Sequence, residues 1–215
     1  MLEEMAAFFE ARLDGYDAHM LHEIEGASEF YPFTAQQLPQ SPGAKVLDLG
    51  CGTGLELEFY FRLMPTALVT GIDLSAGMLQ ALRQKFPQRE LELICGSYFD
   101  VPFGEGQFDA SVSVESLHHF TKAEKVPLYS KLLHGLKPQG YFVLTDYFAA
   151  SEEEEWQFQK ALAVCRQKND VLYHFDTPLT VEHEQEALLE AGFASVRILR
   201  QWGATMTLLA KKAAQ

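Results

Sequence analysis

Five short apolar segments recur along the chain from residue 45 onward, each followed by a longer stretch rich in helix-forming residues. These strand-length segments lie at residues 45–49, 68–72, 91–95, 108–114 and 141–145. Buried strands that alternate with helices pack as a parallel sheet covered on both faces. Two further strand-like runs, at 196–202 and 205–210, are separated by too short a connection for a crossover and are expected to pair antiparallel. The sequence therefore predicts a doubly wound α/β fold with a mostly parallel seven-stranded sheet and an antiparallel last strand.

The region before the first strand has a different pattern. Apolar residues at helical spacing predict a helix from residue 3 to 21 that is interrupted near Gly15, and Tyr31-Pro32 predicts a loop before a short helix. We therefore divide the chain into an N-terminal helical segment, 1–43, and a core, 44–215, with a helical insertion near 151–178.

Local signals place the helices of the core. Residues 55–61 alternate like a strand, but they contain helix formers without β-branching, which predicts a helix. Ser75 and Ser151 are predicted to cap the starts of two later helices, and a last helix is predicted from Thr180 to Ala191, with Gly192 as its stop.

The first strand runs directly into Gly50-Cys51-Gly52-Thr53-Gly54. Glycines there let the backbone turn sharply and let a ligand lie against bare main chain, beside the free N–H groups of the next helix. Asp73 ends the second strand, where a carboxylate can accept hydrogen bonds from ribose hydroxyls. A dinucleotide fold would place a third small residue where this chain has Leu55. Asp48, two residues before the first glycine, instead suits a ligand with an ammonium group, such as S-adenosylmethionine (SAM).

These two segments, 46–54 and 71–75, resemble the first two motifs of the class I SAM-dependent methyltransferases. The resemblance runs from about residue 44 to the C-terminus, and within the family the chain is similar to the small-molecule branch that includes quinone-biosynthesis methyltransferases. It implies SAM as cofactor and a small-molecule methyl acceptor. Gly96-Ser97 stands where the family typically has Gly-Asp, and the Tyr16-Asp17 segment resembles a lid over SAM.

The cofactor-binding residues that these motifs and the resemblance predict are distributed over the N-terminal segment and four strand ends. They are Tyr16, Asp48, Gly50, Cys51, Gly52, Gly54, Asp73, Leu74, Met78, Ser97, Tyr98 and Val114. Core packing of Tyr16 and simple capping of the loop by Asp48 are the structural alternatives.

His118 and His119 follow the fourth strand, at the edge where α/β folds bind ligands. A histidine there can remove a proton from a methyl acceptor, and His119 is the candidate catalytic residue, with a purely structural loop histidine as the alternative. We predict no metal site, because adjacent side chains in a loop seldom converge on one ion and the sequence shows no Cys/His cluster nearby.

The formal net charge of −13 argues against binding to nucleic acid or to an anionic membrane surface. No apolar stretch reaches the length of a bilayer span, and the acidic N-terminus and three cysteines suggest a reducing, cytoplasmic location.

We expect direct in-line methyl transfer to a small molecule. A non-catalytic SAM-fold module that regulates a partner, a nucleic-acid methyltransferase and an NAD oxidoreductase are the alternatives. The sequence does not predict an oligomeric state.

Overall fold

The computed structural model describes residues 3–165 and 172–213. Its centre is a seven-stranded sheet in the order β3-β2-β1-β4-β5-β7-β6. The strands are β1 Lys45–Leu49, β2 Leu68–Asp73, β3 Leu91–Cys95, β4 Phe108–Val114, β5 Leu136–Tyr147, β6 Ser195–Trp202 and β7 Thr205–Lys211. β7 pairs antiparallel with both β5 and β6, whereas the pairs among β1 to β5 are parallel. The predicted fold class is confirmed.

Helices cover the two faces of this sheet and its carboxyl edge. They are α1 Met5–Glu10, α2 Tyr16–Glu23, α3 Ala27–Gln37, α4 Leu55–Leu63, α5 Ala76–Lys85, α6 Lys122–Gly135, α7 Glu152–Cys165 and α8 Val181–Glu190. A single 3-10 turn, Leu117–His119, lies between β4 and α6. Residues 55–63 form a helix as predicted, and the side chains of Ser75 and Thr180 cap α5 and α8.

One local prediction was wrong, and one strand is longer than predicted. Tyr31-Pro32 lies inside α3, not in a loop. The carbonyl that Pro32 leaves without a donor belongs to exposed Ser28, where water can reach it, while Phe30 and Tyr31 are buried and hold the helix in place. The fifth strand begins earlier than the predicted 141–145 and contains a bulge, since its register with β4 shifts between Phe108 and Ala110.

Alternate residues of the central strands point into two separate apolar layers. Leu47 and Leu49 of β1 pack on the side of α6 and α8, whereas Val46 packs with α3, α4 and α5 on the other side. None of the helices within the described ranges is long and apolar enough to cross a bilayer. Because β1, β2, β4 and β5 are parallel, their carboxyl ends all reach one edge of the sheet, and the loops that follow them form the candidate site.

Candidate functional site

The three glycines after β1 share a positive φ but have different neighbours. A Cβ at Gly50 would lie 2.1 Å from Ser116 Oγ, and one at Gly54 would lie 2.4 Å from Leu82 Cδ1, so these two positions allow close packing within the protein. At Gly52 the closest atoms, those of the Tyr16 ring, are 4.0 Å away. Gly52 is thus the glycine whose missing side chain leaves room for a ligand.

Asp73 holds this loop closed from the end of β2. Its Oδ2 accepts a hydrogen bond from Gly52 N at 2.9 Å, and its Oδ1 accepts one from Ser75 N at 2.8 Å. Burial raises the pKa of Asp73, although these backbone donors oppose the shift. The carboxylate is therefore fixed beside Gly52, at the position expected for a ribose partner.

Asp48 is buried behind the glycine loop, next to Glu56 in the first turn of α4. Asp48 Oδ2 and Glu56 Oε1 are buried, and neither has a hydrogen-bond donor from elsewhere in the described structure. Burial, followed by the charge of Glu56, raises the pKa of Asp48 well above its ordinary value, and burial also raises the pKa of Glu56. A proton held by this pair would relieve the repulsion between the two buried carboxyl groups.

A small cavity of about 50 Å³ lies between the loop and the N-terminal helices. Of the thirteen residues predicted from the sequence, nine line it: Tyr16, Gly50, Gly52, Asp73, Leu74, Met78, Tyr98, Val114 and His119. Met5, Phe9, Glu115 and Ser116 complete its wall. We call this space the cofactor cavity.

The other four predicted residues do not line the cofactor cavity. Asp48 lies behind the loop with Glu56, Cys51 packs against Gly71, and Gly54 packs against α5. Ser97 instead accepts a hydrogen bond from Phe99 N at 3.2 Å and stabilises the turn after β3.

A second cavity, of about 790 Å³, adjoins the first one; we call it the acceptor cavity. One side is formed by α1 and α2 and the loops around them, and the other by the ends of β4 and β5, the β6–β7 turn and residues 174–176. Four residues line both cavities: Phe9, Tyr16, Glu115 and His119. Ligands in the two cavities would therefore meet at these side chains.

Both histidines of the 3-10 turn are buried beside carboxylates. His118 Nδ1 lies 2.5 Å from Asp146 Oδ1, and His119 Nδ1 lies 3.0 Å from Asp176 Oδ1. Burial alone would lower the pKa of His118, but Asp146 and the other nearby carboxylates raise it overall. Burial, together with the charge of His118, lowers the pKa of His119 to about 4, so its ring is neutral at pH 7.

Glu115 begins the loop after β4, with a φ of 49°. Burial is the main cause that raises its pKa to about 8, and repulsion by Asp146 adds to it. Thr205 donates a hydrogen bond to its Oε1 at 3.1 Å. A protonated carboxyl group thus lies between the two cavities at neutral pH.

Sequence reasoning missed Asp146 and Asp176. Asp146 stands near the end of β5, so its place at the carboxyl edge was a usable signal. Asp176 lies near the end of the insertion, and no spacing rule connects it with His119. The fold brings it there because buried Thr177 donates from its backbone N to the carbonyl of His118 at 2.7 Å.

In a comparison with known protein families, residues 46–140 match the family described as "Methyltransferase domain". Residues 46–140 are a methyltransferase domain. The chain is 28% identical over 175 residues to the fatty-acid O-methyltransferase of Mycolicibacterium smegmatis, with 81% of this chain and 63% of that enzyme covered. It is 31% identical over 125 residues to the 2-phytyl-1,4-naphtoquinone methyltransferase of Nostoc sp., with 55% of this chain and 53% of that enzyme covered. The chain thus spans less than two thirds of the length of either relative.

Among solved structures, human N-acetylserotonin methyltransferase in complex with SAM shares the fold of this methyltransferase domain. The TM-score is 0.66 at 19% identity, and the match covers 97% of this chain and 56% of the human chain. The family resemblance noted in the sequence is confirmed for residues 46–140, and the human protein of the same fold is solved with SAM bound.

The residues of the methyltransferase domain fit SAM chemically. The open side of Gly52 faces the cofactor cavity, Asp73 offers a carboxylate at its wall, and Asp48 is a buried acid without an outside donor. The cofactor cavity itself is too small for SAM, since its volume of about 50 Å³ is about that of two water molecules. The N-terminal side chains Met5, Phe9 and Tyr16 would have to move to admit SAM.

Proposed function

We propose that the protein is a SAM-dependent methyltransferase that acts on a small, partly apolar molecule bound in the acceptor cavity. The observation that carries this proposal is the set of four residues, Phe9, Tyr16, Glu115 and His119, shared by the two cavities. A donor and an acceptor that lie on either side of one wall can be held in line and close together, which is the main requirement of direct methyl transfer.

When bound, SAM supplies a methyl group on a sulfonium sulfur, which passes directly to the attacking atom of the acceptor. Asp73 would accept hydrogen bonds from the ribose hydroxyls. Asp48 would release the proton that its raised pKa favours and would offset the positive charge of the ammonium group. Phe9 and Tyr16 would exclude water from the point of transfer.

His119 is the catalytic residue that we propose for the acceptor side. It lines both cavities, and its neutral ring has a free lone pair at pH 7. Residues 1–43 would act as the lid, and His174 and Asp176 of the insertion would close the far side of the site. Residues 166–171 of the predicted insertion lie outside the described residues. A nucleic acid or a membrane is not the proposed partner, because the net charge of −13 opposes both surfaces, and a cytoplasmic location is part of the same proposal.

Asp73→Ala tests the cofactor role. The variant loses hydrogen bonds to a charged group, each worth about 1.5–3 kcal/mol, so SAM should bind at least about tenfold more weakly in calorimetry. Asp100→Ala removes an exposed carboxyl group from the loop after β3 and serves as the matched control.

The wild-type protein should bind SAM and its demethylated product far more tightly than NAD, and a metabolite screen should then identify the acceptor. Comparable binding of NAD, or turnover only on tRNA or DNA, would contradict the proposal.

A further inference from the structure

Three side chains converge on the wall of the acceptor cavity from two parts of the chain. His118 and His119 come from the 3-10 turn, and Asp176 comes from the segment before α8. One donor atom from each of the three lies within 4.8 Å of the others, and Asp176 Oδ1 is 3.0 Å from His119 Nδ1 and 3.8 Å from His118 Nε2. Cis ligands of a metal ion at about 2.1 Å are separated by similar distances.

The hydrogen bonds of the described structure leave two of these atoms unused. His119 Nδ1 and Asp176 Oδ1 are both buried and without a hydrogen-bond partner, because their approach is not aligned for a hydrogen bond. His119 as a whole is only 8% exposed. A buried nitrogen and a buried carboxylate oxygen that face each other without a bond are costly unless something between them binds both.

Asp146 orients the third donor. Its Oδ1 lies 2.5 Å from His118 Nδ1, and its Oδ2 accepts hydrogen bonds from Leu117 N at 2.8 Å and His118 N at 3.0 Å. A proton on His118 Nδ1 leaves the lone pair of Nε2 directed away from Asp146, on the side of Asp176. Metal-bound histidines are typically held in this way by a carboxylate on their other nitrogen.

We propose that His118, His119 and Asp176 bind a divalent transition-metal ion whose remaining coordination positions open into the acceptor cavity. Two imidazole nitrogens and one carboxylate oxygen suit ions such as Zn²⁺, Fe²⁺ or Co²⁺, whereas Mg²⁺ and Ca²⁺ prefer oxygen ligands. The sequence predicted no metal site at His118 and His119 because the third ligand, Asp176, lies 57 positions beyond His119, and only the fold brings it near.

The site has a consequence for the acceptor, and this part rests on the proposed function. The three ligands all line the acceptor cavity, and His119 also lines the cofactor cavity. With its Nδ1 on the ion, His119 would act on the acceptor through that ion and not as a free base. The ion would therefore select an acceptor with an oxygen donor, such as a phenolic or enolic hydroxyl group, and hold that oxygen near the point of methyl transfer.

The test measures metal binding by the full chain without SAM or acceptor. Protein purified with a chelator is titrated with Co²⁺, whose visible absorption reports its ligands, and Zn²⁺ is counted by metal analysis after equilibrium dialysis. We expect one ion per chain. His119→Ala and Asp176→Asn should weaken binding on the order of 100-fold, and Asp146→Asn, a positioning variant, by roughly 10–100-fold.

His19→Ala is the matched control, since His19 and Glu23 form an exposed histidine–carboxylate pair on the same cavity, at 3.1 Å. Binding should be unchanged in this variant. Failure of the wild type to bind either ion, or equal loss in His19→Ala, would overturn the metal site.

Two further measurements distinguish the loss of metal ligands from unfolding of a variant and from the loss of SAM binding. Circular dichroism melting checks the fold of each variant, and Asp176, with a side chain 40% exposed, tolerates an amide without burying it. Asp176 does not line the cofactor cavity, so Asp176→Asn should bind SAM like the wild type. A protein that binds Co²⁺ through these residues but methylates nothing would keep the metal site and refute only the proposed function.

Discussion

At the scale of single residues, the three glycines after β1 share one backbone conformation but serve two purposes: close packing within the protein, and room for a ligand. Gly50, Gly52 and Gly54 all have a positive φ, yet only Gly52 has open space where a side chain would stand. The cost of placing an L-residue at positive φ is common to all three, so it does not by itself report ligand binding.

Gly52→Val should therefore abolish SAM binding while the fold remains intact. The new side chain would fill the space that SAM must occupy, and calorimetry should show a loss of at least about 100-fold in affinity. Gly43→Val is the matched control, because Gly43 has a φ of 72° and nothing within 4 Å. If both variants bind SAM equally well, Gly52 does not contact the cofactor.

At the scale of elements, two buried carboxyl groups at the junction of β1 and α4 lower the stability of the fold at neutral pH. The pKa values of Asp48 and Glu56 are raised in the folded protein, mainly by burial. Between the ordinary pKa of these groups and the raised one, the folded state holds a proton that the unfolded chain has released. The free energy of unfolding contributed by this pair therefore falls as the pH rises through that window.

Glu56→Gln should restore part of the free energy of unfolding that is lost as the pH rises, because a neutral amide can donate a hydrogen bond to Asp48. The melting temperature of the variant should exceed that of the wild type by more at pH 8 than at pH 5. Each kcal/mol of restored free energy corresponds to about 2–4 °C. Glu58→Gln, in the same turn but with a side chain 38% exposed, should show no such difference between the two pH values. A Glu56→Gln variant that is less stable at pH 8 would contradict a proton held by Asp48 and Glu56.

Elements were predicted well from the sequence where local chemistry and burial agree. The strand before Gly50 and the cap at Ser75 fall into this class, since both signals lie within a few residues. Pro32 and the β5 bulge were missed because packing against distant residues decides them. The same limit applies to the site: Asp73 could be placed from its position at a strand end, whereas the distance from Asp176 to His119 depends on how the chain returns after α7.

At the scale of the whole molecule, the N-terminal helices are attached to the core at two points above the cofactor cavity. Glu10 Oε2 accepts hydrogen bonds from Ser75 Oγ at 2.6 Å and from Gly77 N at 3.1 Å. Asp17 pairs with Lys85 at 2.6 Å and accepts a hydrogen bond from Thr53. These contacts stabilise the arrangement in which the cofactor cavity is too small for SAM.

Glu10→Ala should make SAM associate severalfold faster. Only the open arrangement can admit SAM, so a change that weakens the closed one raises the competent fraction and with it the apparent affinity. Stopped-flow fluorescence of Trp202, which lines the acceptor cavity, offers the measurement. Glu3→Ala breaks an exposed pair with Arg12 in the same segment and should leave the rate unchanged. An unaltered rate in Glu10→Ala would show that this contact does not limit entry.

More than half of the residues that line the acceptor cavity precede residue 26, whereas the methyltransferase domain begins at residue 46. On the proposed function, the stretch that would select the acceptor is thus largely separate, along the chain, from the stretch that carries the glycine loop and Asp73. Chimeras that exchange residues 1–43 between relatives would combine a new acceptor preference with an unchanged cofactor loop. Evolution has the same freedom, because substitutions in two short helices can alter the preferred molecule without disturbing any strand of the sheet.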